Sequence, residues 1–199
     1  MLWARWTDPS RHLPYYRWRP AYRGVTEIPI NVSTLDPGWA RYVANGVSNW
    51  NLSNANVRFV PDLNSFNNVV IVAGITGSID GLGLGIFRPQ NYTRYGELRE
   101  YFIHLSSVGI EAHVRRNSGY TFGNVVENVM THELGHAIGL RDGDHTHPYS
   151  GHHTNELGGS PDGSIMNHNR SRNIRRVGTY QIPTSFDIIS VNMIYGHNN

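Results

Sequence analysis

The chain has 199 residues, 39% hydrophobic and 16% charged, with a formal net charge of +2. That length fits one domain able to bury a real core, and the composition suits a globular protein with ample loop. The absence of cysteine excludes disulfides, thiol chemistry, thiolate metal ligands and a cysteine latency switch within this sequence.

All 17 basic residues are Arg. They gather loosely at 5–23 and 170–176, with Trp and Tyr beside the first group. The runs are short and no nucleic-acid module accompanies them, so they read as solvated surface and no nucleic-acid partner is expected. No apolar stretch approaches the roughly 20 residues of a membrane span. The N-terminus, Met1 to Trp6, has no signal-peptide core. Asn-x-Ser/Thr triplets begin at Asn31, Asn51, Asn91 and Asn169. They matter only in a eukaryotic secretory route.

Residues 1–24, with three prolines, read as an irregular strap. Glu27 to Ser33 reads as a first strand. Asp36-Pro37-Gly38 reads as a helix start, with Asp as cap and Pro at the first helical position. Trp39, Tyr42, Val43, Val47 and Trp50 then recur at helical spacing. Val57–Val60, Val69–Ala73 and Tyr101–Leu105 read as strands. Gly81-Leu82-Gly83-Leu84-Gly85 lacks the Lys-Ser/Thr and the following helix of a phosphate loop, so it reads as a loop between strands. A long helix is expected from Phe122 or Asn124 to Leu140. Residues 141–184 are dense in Gly, His, Asn, Asp and Pro and read as loops. A last helix is expected from about Thr184 to Ile194. No internal repeat is apparent.

The long helix carries the chemistry. His132-Glu133-Leu134-Gly135-His136 puts two imidazoles four residues apart, one above the other on one helical face. That spacing can hold one Zn²⁺, with Glu133 beside the metal's water. Gly139 can take the left-handed conformation that stops a helix. The chain can then double back and present Asp142 as a third ligand. His145, His147, His152 and His153 lie close behind, so one of them could replace Asp142, or they could build a second metal site. Three protein ligands with one open position make a catalytic rather than a structural zinc site. Glu133 could then serve as general base for water attacking a peptide carbonyl, and pass the proton to the leaving amine.

His132 to Asp142, as HExxHxxGxxD, resembles the metzincin clan of zinc metalloproteases. Ser164-Ile165-Met166 resembles the clan's Met-turn, and Ser185 to Gly196 resembles the C-terminal helix of a matrixin catalytic domain. Asp in the third position resembles the snapalysin group. The likeness is closest over 121–142, fair over 162–196 and only architectural before that. It implies His132, His136 and Asp142 as zinc ligands, Glu133 as catalytic base, and Met166 as a floor beneath the metal. It also implies that the Gly81–Gly85 region can carry structural calcium, with Asp80 a candidate ligand. Some clan members have Tyr two residues after the Met. Here that position is His168, which leaves open which side chain assists the oxyanion.

The resemblance implies an α/β (α+β) fold, a mixed twisted sheet with an active-site helix and a C-terminal helix. One catalytic domain would comprise an upper lobe, 1–140, containing two helices, and a lower lobe, 141–199. The expected protein is a secreted, monomeric zinc endopeptidase acting on a protein or peptide substrate, paired with an edge strand near residues 101–106. The alternatives are a zinc-dependent module that binds peptides or glycans without cutting them, and an amidase acting on cell-wall peptides. In a zymogen-type chain, residues 1–24 would lie in the cleft with Asp8 touching the metal.

Overall fold

The computed structural model describes residues 18–76, 84–92, 97–140, 164–166 and 182–196, and of 86–92 the backbone course alone. Asp8, Asp80, Asp142, His145, His147, His152, His153 and His168 lie outside the described residues.

The chain opens with β1 (Thr26–Asn31), α1 (Pro37–Asn51), β2 (Val57–Pro61) and β3 (Val69–Ile75). After them come β4 (Gly85–Tyr92), β5 (Leu98–Ser106), α2 (Ser107–Arg116) and α3 (Phe122–Ala137). A helix at Ser185–Tyr195, here α4, ends the described chain. The five strands form one sheet in the order β2-β1-β3-β5-β4. β1 pairs in parallel with β2 and β3, and β3 with β5. β4 alone runs antiparallel, against β5. The sheet is therefore mixed, as expected.

α1 starts where the sequence places it. Asp36 is the N-cap and accepts from Gly38 N at 2.7 Å, with Pro37 opening the helix. Its inner face, Val43, Gly46 and Trp50, is buried against α3. The two helices cross closely at Gly46. A Cβ there would stand 2.8 Å from Met130 Cβ. Polar bonds fix the register of the crossing. Trp50 Nε1 donates to Thr131 O at 2.8 Å, and Asn45 and Asn49 donate to the Glu127 carboxylate at 3.0 and 3.3 Å. Beneath lies the core, where Ile28, Phe59, Val70, Ile103 and Leu105 meet Val126, Met130 and Leu134.

Two expectations need correction. Residues 101–106 belong to β5, which lies inside the sheet between β3 and β4, so they offer no free edge. Among the described residues the edge strand on that side is β4, Gly85–Tyr92, of which the sequence shows little. Its GIFRPQNY pattern lacks clean alternation, and Pro89 cannot donate to a ladder, which suits an edge. The second correction is α2, a third helix before residue 140 where two were expected. It follows β5 with no linker. The Ser106 side chain caps it by accepting from Gly109 N at 3.0 Å.

Asn31 begins one glycosylation triplet, yet its side chain is fully buried and donates to Ser65 O at 2.7 Å, so that triplet is closed to a glycan. No helix among the described residues is long and apolar enough to cross a membrane.

Candidate active site

α3 begins with Thr121, whose side chain accepts from Asn124 N at 3.2 Å. It ends where Gly139 forces it to, three residues before the expected end at Leu140. Gly139 has φ +94°, and the stop is a paired closure: Gly139 N donates to His136 O at 2.9 Å and Leu140 N to Gly135 O at 2.9 Å. A Cβ would oppose that left-handed backbone, which is why glycine stands here.

The closure also serves His136. It carries the Leu140 carbonyl back over the last turn, where it lies 3.1 Å from His136 Nδ1. His132 is held by a different device. Its Nδ1 lies 2.9 Å from Ile165 O, 33 residues along the chain. A carbonyl oxygen can only accept, so each Nδ1 carries the proton of its bond. In the neutral ring each Nε2 then carries the lone pair that a metal needs. The two rings stand edge to face with centroids 4.8 Å apart.

Glu133 lies between them in sequence and is buried, with 6% exposure. The described residues thus set two imidazoles edge to face on one helix, with a buried carboxylate between them in sequence. Two half-buried, carbonyl-tethered imidazoles fit zinc, whose structural and catalytic sites both use neutral histidine nitrogen.

Ser164-Ile165-Met166 sits directly under this helix, as the Met-turn expectation requires. Met166 is fully buried, and its Sδ occupies the space that a Cβ on Gly135 would need. The turn is itself anchored from α4. Asp187, fully buried, accepts from Ser164 Oγ at 2.5 Å and from Ile165 N at 3.1 Å. It also accepts from Thr184 N and Thr184 Oγ1, each at 2.8 Å. Ser164 Oγ in turn accepts from Met166 N at 2.9 Å. A continuous path therefore runs from Asp187 through the Ile165 peptide to the His132 ring. Sequence reasoning quoted Ser164 and Asp187 but gave neither this role. The visible signal was Thr184-x-x-Asp187 ahead of an apolar run, a helix-capping pattern. Trp18 was missed altogether. Its indole Nε1 donates to Ala137 O at 2.9 Å, and its backbone N to Tyr195 Oη at 3.2 Å. It closes a free carbonyl at the end of α3 and ties that end to α4.

Comparison with known proteins agrees with this geometry. Residues 108–172, which span α3 and the Met-turn, match the family described as dual-action HEIGH metallo-peptidase. The fold is similar to that of a solved structure, high choriolytic enzyme 1, a hatching enzyme zinc-protease from the medaka fish Oryzias latipes. The identity is 21% and the TM-score 0.52, over 90% of this chain and 94% of that one. No curated protein matches the sequence. The mixed sheet, the His-Glu-x-x-His helix seated on Ser164-Ile165-Met166 and the family match over that segment support a zinc metallopeptidase of the metzincin type. The match over 108–172 supports metallopeptidase activity.

Proposed function

We propose that this protein cleaves internal peptide bonds with His132, His136 and Asp142 as zinc ligands and Glu133 as general base. One observation carries the reading. The two imidazoles are tied at Nδ1 to the carbonyls of Ile165 and Leu140, which in the neutral ring leaves Nε2 of each as the atom that would bind a metal. Zinc, when bound, polarises the scissile carbonyl and makes water acidic enough to attack at neutral pH.

The chain's own residues supply the rest. Glu133, next to His132 on the same helix, takes a proton from the attacking water at its carboxylate and delivers it to the leaving amine. Its burial limits competing bulk water around the carboxylate. An extended substrate pairs with the outer edge of β4, the edge strand on that side of the sheet among the described residues. Asp142, three residues past Gly139, completes the ligand set by chain reversal after the helix stop. The protein works as a single catalytic domain, secreted and monomeric, on protein or peptide substrates.

The test joins metal content to cleavage. Protein purified without added metal should hold about one zinc per chain, as a three-ligand site requires. It should digest an unstructured protein, stop when chelated and recover when zinc is returned. Glu133→Ala should keep fold and zinc yet lose cleavage by about 10²–10⁴-fold. Near wild-type cleavage by that variant would exclude Glu133 as the base. Zinc binding without any cleavage by the wild type would favour a binding module instead.

A further inference from the structure

We propose that Gly85 is a positioning residue for Glu133, and that the missing methyl at Gly85 sets how closely the general base can approach the edge strand. This rests on the reading of Glu133 as the base.

Gly85 opens β4 and lies directly against the buried face of α3. A Cβ built there would stand 2.9 Å from Glu133 Oε1, 3.0 Å from Glu133 Cγ and 2.7 Å from Val129 Cγ1. All three are at or below the closest approach that carbon tolerates, so something must move if a methyl is added. Backbone conformation does not demand the glycine. The described glycines with positive φ are Gly24, Gly119 and Gly139, and Gly85 is not among them. Space alone requires it.

The neighbour that can yield is the Glu133 side chain. Val129 is a stiff, β-branched residue 6% exposed in the packed core, whereas a Glu side chain has three rotatable bonds. Gly85 is also part of the strand on whose outer edge the substrate pairs. One residue thus belongs to the surface that holds the scissile peptide while fixing the carboxylate that must reach it. Adding a methyl would push base and substrate apart without touching His132 or His136. A misplacement of about 1 Å can cost on the order of 10²-fold in rate.

The experiment compares Gly85→Ala, Val129→Ala, the double variant and Glu133→Ala. The substrate is an internally quenched peptide copied from a cleavage site found in the unstructured-protein digest. Each variant is measured for zinc content, thermal unfolding, kcat and KM. Gly85→Ala should keep its zinc, with kcat down about 10- to 100-fold and KM within about threefold. Val129→Ala removes the Val129 half of the clash and leaves the Glu133 half. The double variant should therefore regain melting temperature but not kcat, and it keeps the test open if Gly85→Ala alone folds poorly.

Three results would overturn the inference: wild-type kcat in folded Gly85→Ala, kcat returning with stability in the double variant, or a loss carried entirely by KM. An inactive Glu133→Ala beside a fully active Gly85→Ala would sink this inference alone. An active Glu133→Ala would sink the general-base reading itself.

Discussion

Asp187 on α4 and Ile165 in the Met-turn share a 3.1 Å hydrogen bond, and the carbonyl of that same Ile165 holds His132. The ring proposed as a zinc ligand is thus positioned through a carboxylate 55 residues further along. The carboxylate satisfies donors from Ser164, Ile165 and Thr184 at once, and is itself fully buried.

Asp187→Asn is the informative change. It keeps size and one acceptor oxygen but turns an amide group toward donors. Hydrogen bonds to a charged group are worth about 1.5–3 kcal/mol each, so the variant should lose roughly that much stability or more. Zinc should be held less tightly, because the Met-turn no longer fixes the Ile165 carbonyl. Chemical unfolding and competition with a metal indicator measure the two effects. Unchanged zinc affinity in a destabilised variant would show that Asp187 braces the fold without reaching the ligand.

How much of this was legible follows from the range of the interactions. The His132–His136 pair, the Gly139 stop and the Asp36-Pro37 helix start are all local. Their partners lie within a few residues, so spacing and residue type reveal them. β1, β2, β3 and β5 were legible as short runs rich in β-branched and aromatic residues, buried continuously over Val69–Val72 of β3 and at Tyr101, Ile103 and Leu105 of β5. β4 was not, since an edge strand needs no clean alternation and this one carries a bulge beyond Pro89. α2 was hidden because it has only Gly109 and Ile110 fully buried, too few to leave a periodic stripe.

The supports of the site were illegible for a different reason. Trp18 reaching Ala137 spans 119 positions, and Asn192 accepting from Asn56 N at 2.6 Å spans 136. No periodicity encodes such pairs. Gly85 and Gly135 are extreme cases, because what matters at each is an absent atom, and only the positions of Glu133 and Met166 show why.

His113 on α2 offers a pH test away from the metal. Its Nε2 is buried without a hydrogen-bond partner among the described residues, and its ring lies 5.7 Å from the Tyr120 ring. Desolvation by burial lowers its pKa below the ordinary value of 6.5. The unfolded chain therefore binds this proton more readily than the folded one. The stability tied to neutral His113 is complete above about 6.5 and drains away as pH falls through the lower folded value. His113→Phe keeps an aromatic ring beside Tyr120 and removes both the titration and the stranded nitrogen. It should be at least as stable as the wild type at pH 7.5, and the gap in its favour should widen at pH 5.5. Thermal unfolding of both proteins at the two pH values checks this. A constant gap would mean that His113 takes up its proton equally in both states.

The proposed third zinc ligand is testable by substitution. Asp142 and His145 both follow the Gly139 stop, and the clan resemblance favours the first. The closure at Gly139 ends the helix ahead of both. A site with two imidazoles and one carboxylate carries less positive charge than one with three imidazoles. Asp142→Ala should therefore strip the site of an anion as well as a ligand and weaken zinc binding by orders of magnitude, whereas His145→Ala should leave it nearly unchanged. Asp142→His should retain about one zinc, because a neutral imidazole is an equally suitable donor at a catalytic site. Zinc titration of the three variants, each first shown to be folded, decides the matter. Loss of zinc in His145→Ala with retention in Asp142→Ala would move the third ligand three residues along. Loss in both would instead make the pair mutually dependent, one as ligand and the other as the group that orients it.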